Sequence, residues 1–145
     1  MKLHIAGIAI ALLVFPAYGD DDPEGHQSQL GYLSASYILI GKKLDSDDTF
    51  LGRMVLAQNG SRLEGYREIE GVRVAVSGTI KHPRCCESTH VLRLRFAEGD
   101  HQLEGTYLWR GDLDNYARIS GYVYERGTST MWPGMEVLFR DHRTK

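Results

Sequence analysis

The chain of 145 residues has little of what marks several large protein classes. Its two cysteines are adjacent, Cys85-Cys86. That excludes a scaffold held by several disulfides and a C-x-x-C redox pair. Only four prolines occur, and apolar residues recur along the whole length, so low-complexity disorder is excluded. Neither sign of charge dominates: 17 Lys+Arg stand against 19 Asp+Glu, a net of -2. No global field therefore marks a nucleic-acid or anionic-membrane binder. The longest uncharged apolar run, Ile5–Phe15, has 11 residues, too few to span a bilayer as a helix. No stretch offers a clean helical period over ten residues. Gly-x-Ser-x-Gly, phosphate-loop and His-Glu-x-x-His motifs are all lacking, so the expectation is a protein without catalysis and without a cofactor.

What is present begins with residues 1–19. A weakly basic start, Lys2 and His4, precedes the apolar run. Pro16-Ala17-Tyr18-Gly19 follows it, and then the acidic Asp20-Asp21-Asp22. This is the layout of a secretory signal peptide cut near Gly19, which implies a periplasmic or secreted protein with no membrane span in the mature chain. Residues 20–29, polar and acidic with Pro23 and Gly25, read as a flexible leader. Residues 30–145 read as a single domain.

In that domain the hydrophobic period is two. Val72, Val74, Val76, Gly78 and Ile80 alternate with Arg73, Ala75, Ser77, Thr79 and Lys81. Leu92-Leu94-Phe96, Leu103-Gly105-Tyr107-Trp109, Ile119-Gly121-Val123 and Met135-Val137-Phe139 continue the series. With 32–40, 50–58 and 62–70, there are eight strand candidates. Asn59-Gly60, Glu70-Gly71, Gly99-Asp100 and Gly111-Asp112 supply turn chemistry between them.

Glycine recurs two residues after an apolar residue on the same strand face, at Gly52, Gly65, Gly78, Gly105 and Gly121. Glycine weakens a strand, so an inward series implies sharp coiling, or room for an aromatic ring or a ligand. The expectation is an all-β fold, an eight-stranded antiparallel up-and-down meander closing into a small soluble barrel, with a β-sandwich as the alternative. The shape resembles calycin-like barrels in architecture alone, with no family motif to carry over. Arg73, Lys81, Arg93, Arg95, Glu64, Glu68 and Glu70 would lie on the outer face, where a hydrocarbon band has no place for them. Arg73, Arg93 and Arg95 are expected to pair with Glu68 and Glu70.

Two groups of residues could carry chemistry. His82, Cys85, Cys86 and His90 fall in one connection and could fold around zinc or copper, although adjacent cysteines make awkward partners on one ion. Their other reading is a disulfide between the neighbours or between two molecules. The second group is Arg67, Tyr107 and Trp109, inward by phase, with Trp132 in the loop 127–134. Near a barrel mouth they would bind a planar or anionic group; otherwise they fill or cover the core. Two functions follow as expectations. One is a small hydrophobic or aromatic ligand bound in the barrel mouth. The other is a protein-binding module, such as a periplasmic inhibitor or immunity-type factor. An internal pocket above roughly 300 Å³ favours the first.

Overall fold

The computed structural model describes residues 23–81, 90–111 and 116–143. The first element is a helix, α1 (Pro23–Leu33), and eight strands follow it: β1 (Ala35–Lys42), β2 (Thr49–Asn59), β3 (Arg62–Ile69), β4 (Val72–Lys81), β5 (Val91–Glu98), β6 (His101–Gly111), β7 (Ala117–Glu125) and β8 (Gly134–Arg140). Each strand pairs antiparallel with the next, and β8 returns to β1, so the sheet closes into a barrel and the sandwich is excluded. Tight turns make this possible where the backbone must enter the left-handed region. Glu70 and Gly71 both have positive φ, 52° and 79°, which suits the twist of the β3–β4 hairpin.

The inward glycines make room for their neighbours. A Cβ on Gly105 would collide with the Tyr107 ring, and one on Gly65 would meet the Val55 carbonyl oxygen at 1.8 Å. One glycine thus seats an aromatic side chain, and the other lets two strands approach closely.

Alternation decides most of the core. Leu63, Val76, Ile80, Leu92, Leu94, Leu103, Ile119 and Val123 are all buried. The β8 expectation is reversed. Gly134, Glu136 and Leu138 face inward, while Met135 and Phe139 lie outside at 49% and 41% exposure. Pairing forces this phase: Glu136 lies beside the inward Gly41 and Gly121 of the neighbouring strands.

The helix is also a departure, since the polar stretch read as a leader continues into α1. Leu30 and Leu33, three residues apart, turn to the same side and are 1% and 0% exposed, closing one end of the barrel. Its final carbonyls are occupied. Tyr37 Oη donates to the Leu33 oxygen at 2.8 Å, and Ser34 Oγ donates to the Leu30 oxygen at 2.8 Å.

The outer-wall arginines of β4 and β5 pair with adjacent strands. Arg73 pairs with Glu68 at 2.7 Å, as expected. Arg93 and Arg95 instead converge on Glu104, at 3.7 and 2.7 Å, because the neighbour of β5 is β6 and not β3.

Candidate functional site: the open end of the barrel

The half of the barrel next to α1 is filled by Tyr37, Leu39, Met54, Leu56, Leu92 and Ile119, none more than 2% exposed. At the other end, between the hairpin connections, the interior holds a cavity of about 590 Å³. Phe50, Ile69, Val74, Leu103 and Val123 form its walls. Leu44, Asp45, Glu70 and Gly99 stand in the connections around it.

Its polar lining begins with Arg67, inward on β3 and 3% exposed. Arg67 Nη2 lies 2.9 Å from Glu136 Oε1 on β8 and 3.4 Å from Glu98 Oε1 at the end of β5. The guanidinium carbon also sits 4.1 Å from the centre of the Phe96 ring, so the cation has an aromatic face beneath it. Tyr107 Oη donates to Glu136 Oε2 at 2.6 Å. Arg67, Glu136 and Tyr107 thus form a connected polar group among apolar residues.

Burial pushes the Glu136 carboxyl above the usual glutamate range and outweighs the opposing pull of Arg67 and Tyr107. Burial also raises the Tyr107 phenol well above its ordinary value, with Glu136 adding to the effect, so it remains a donor. At the rim, His101 Nδ1 and Glu125 Oε1 are 2.8 Å apart, and the bond to Glu125 raises the imidazole's affinity for its proton.

Two connections at this end are tied together. Asp45 N donates to the Trp132 oxygen, and Trp132 N donates to Asp45 Oδ1, both at 2.9 Å. The Trp132 ring stands at the rim, 63% exposed.

Of the residues singled out from sequence, Arg67 lines the cavity, and Tyr107 joins it through Glu136. Trp132 is near the same end through its bonds to Asp45. Trp109 is not with them. It packs under α1 at the closed end, 5.9 Å from the Tyr32 ring and stacked at 6.2 Å on His90. His90 also contacts Gln29 Nε2 at 3.2 Å. His82, Cys85 and Cys86 lie outside the described residues, and among the described residues no group of three metal-ligating side chains comes together. Glu136 was not singled out by the sequence reading. Its signal is one carboxylate between apolar residues in a short strand, which reads equally well as the outer face. No known family model, curated protein or solved structure matches this chain.

Proposed function

We propose that this chain is an exported, non-catalytic binding protein that takes a small hydrophobic or aromatic molecule into the open end of its barrel. The cavity of about 590 Å³ carries the reading, because it falls within the size range of small-molecule sites and its apolar wall residues sit beneath a charged rim that includes Lys42, Lys43, Glu70, His101 and Glu125. The polar groups at the cavity support binding rather than reaction. Arg67, Glu136 and Tyr107 are bound to one another, not arranged as a nucleophile and its base. Their mutual pairing also favours an uncharged ligand over one that must be neutralised there.

The test is titration with a neutral fluorescent probe such as N-phenyl-1-naphthylamine. Saturable binding at one probe per chain is expected. Leu44→Trp, which places an indole in the cavity, should weaken binding by about tenfold or more, equivalent to roughly 1.4 kcal/mol. Absence of saturable binding, or binding indifferent to this substitution, would overturn the reading. The second reading, a protein-binding module, is favoured by Met131 and Trp132, exposed by 78% and 63% on one connection. It predicts a protein partner whose affinity falls with Trp132→Ala and not with Leu44→Trp.

A further inference from the structure

One sector of the outer wall is apolar. Leu51, Ile40 and Val137 lie side by side in register on β2, β1 and β8, and Leu51 and Ile40 are 68% and 45% exposed. One step toward the cavity end, Met135 of β8 is paired with Tyr122 of β7. One step toward α1, Phe139 of β8 is paired with Ile38 of β1. Met135, Tyr122 and Phe139 are 49%, 53% and 41% exposed. The ion-paired arginines Arg73, Arg93 and Arg95 belong to β4 and β5, away from this sector. Isolated apolar residues on a surface are ordinary, but a contiguous patch across neighbouring strands marks an interface.

We propose that this face pairs with the same face of a second copy of the chain. The patch's two edges differ in chemistry. On the edge toward α1, Arg53 and Arg118 flank the pair Ile38 and Phe139. On the edge toward the cavity lie Thr49, at the start of β2, and the exposed Asp48 just before it, then Lys42 of β1, held by Asp47 at 2.9 Å, and Tyr122 on β7.

A two-fold axis along the row Leu51, Ile40, Val137 keeps each strand opposite its own copy and exchanges the two edges. Phe139 then meets the second copy's Met135, and Arg118 meets the second copy's Tyr122. Arg53 comes to the second copy's Asp48. The row residues meet their own copies on the axis, and every contact off it occurs twice, as an isologous interface requires. Arg53 and Arg118 meet a carboxylate and an aromatic face instead of each other, and Lys42, neutralised by Asp47, comes to the second copy's Ile38. A parallel arrangement of the same faces would set arginine against arginine. The axis lies on the wall, so the cavity end stays accessible in the pair. Because the wall is convex, contact extends over about four strands, roughly 15–20 Å, and a reversible dimer follows rather than a permanent one.

Sedimentation velocity of the protein purified from an export-competent host, over about 1–300 µM, tests this proposal. The sedimentation coefficient should rise with concentration from the monomer toward the dimer value. Ile40→Glu should remain monomeric throughout with an unchanged circular dichroism spectrum, and Leu51→Lys serves if that variant does not fold. Arg53→Glu should weaken the dimer by about tenfold, and adding Asp48→Arg to the same chain should restore most of the loss. A monomer at the highest concentration overturns the proposal, as does a dimer that both Ile40→Glu and Leu51→Lys leave intact.

Discussion

Arg67 on β3 and Glu136 on β8 meet across the barrel interior at 2.9 Å, their side chains only 4% and 2% exposed. Two charges in such a place lose most of their hydration. Their pairing recovers part of that loss, and a single survivor recovers none of it. The Tyr107 hydroxyl and the Phe96 ring support the pair from either side.

Arg67→Met should therefore cost about 3–5 kcal/mol at pH 7, because Glu136 is left buried without its cation. The cost should depend on pH. Removing Arg67 removes an influence that lowers the Glu136 pKa, so the carboxyl, already raised by burial, rises further. A raised folded-state pKa means stability that is fully present below the unfolded value and lost as pH rises through the folded one. The deficit of the variant should thus shrink between pH 7 and about 5. Urea melts at several pH values check it, and a pH-independent deficit counts against the buried pair.

Glu104 should act with the opposite sign. Burial works to raise its pKa, but bonds from Arg95 and Tyr124, with Arg93 nearby, outweigh this and hold it below the usual range. Its contribution is present above the unfolded value and is lost as pH falls through the lowered folded one. Glu104→Gln should flatten the acid side of the Tm–pH profile below about pH 4.3 and leave the neutral side parallel to the wild type. An unchanged acid limb would argue that the cluster contributes nothing.

Two glycine substitutions should differ sharply. A Cβ at Gly65 would meet the Val55 carbonyl at 1.8 Å, where only a backbone shift gives relief. Gly65→Ala should cost about 1–3 kcal/mol or more. At Gly31 on α1 the nearest atom is Gln58 Oε1 at 3.5 Å, and Gly31→Ala should be neutral or stabilise by up to about 1 kcal/mol. Thermal melts of the two variants compare them directly.

Legibility in the sequence followed the strength of the alternation. The meander and the inward phase of Arg67 and Tyr107 could be read because their strands carry clear period-two patterns with inward glycines. β8 could not be read in this way. Met135, Val137 and Phe139 form the larger apolar set, yet Glu136 and Leu138 face inward, since a buried carboxylate is tolerable once Arg67 and Tyr107 meet it from other strands. Those partners lie 69 and 29 residues away in the chain, beyond any local pattern. The same reversal hides the outer apolar face. α1 was illegible because, among the described residues, its docking rests on Leu30, Tyr32 and Leu33, crowded into its last turn and too few to define a helical period.

The position of Trp109 shows how a correct phase can leave the barrel end undetermined. Its inward alternation is compatible with either mouth, and α1 closes the one it occupies. Trp109→Leu should consequently cost about 1–2 kcal/mol, since the ring is only partly buried, and leave probe binding at the open end within twofold of the wild type. Loss of binding at unchanged stability would place the ligand at the wrong end for this account.

The most direct measurement is a two-dimensional NMR titration of the protein with the neutral probe, following backbone amides. Progressive shifts should gather at Leu44, Phe50, Val74, Leu103 and Val123, which line the cavity, while amides of α1 and of Trp109 stay in place. Shifts confined to the helix end or to the outer face of β1 and β8, or none at saturating probe, would contradict a ligand site in the open end of the barrel.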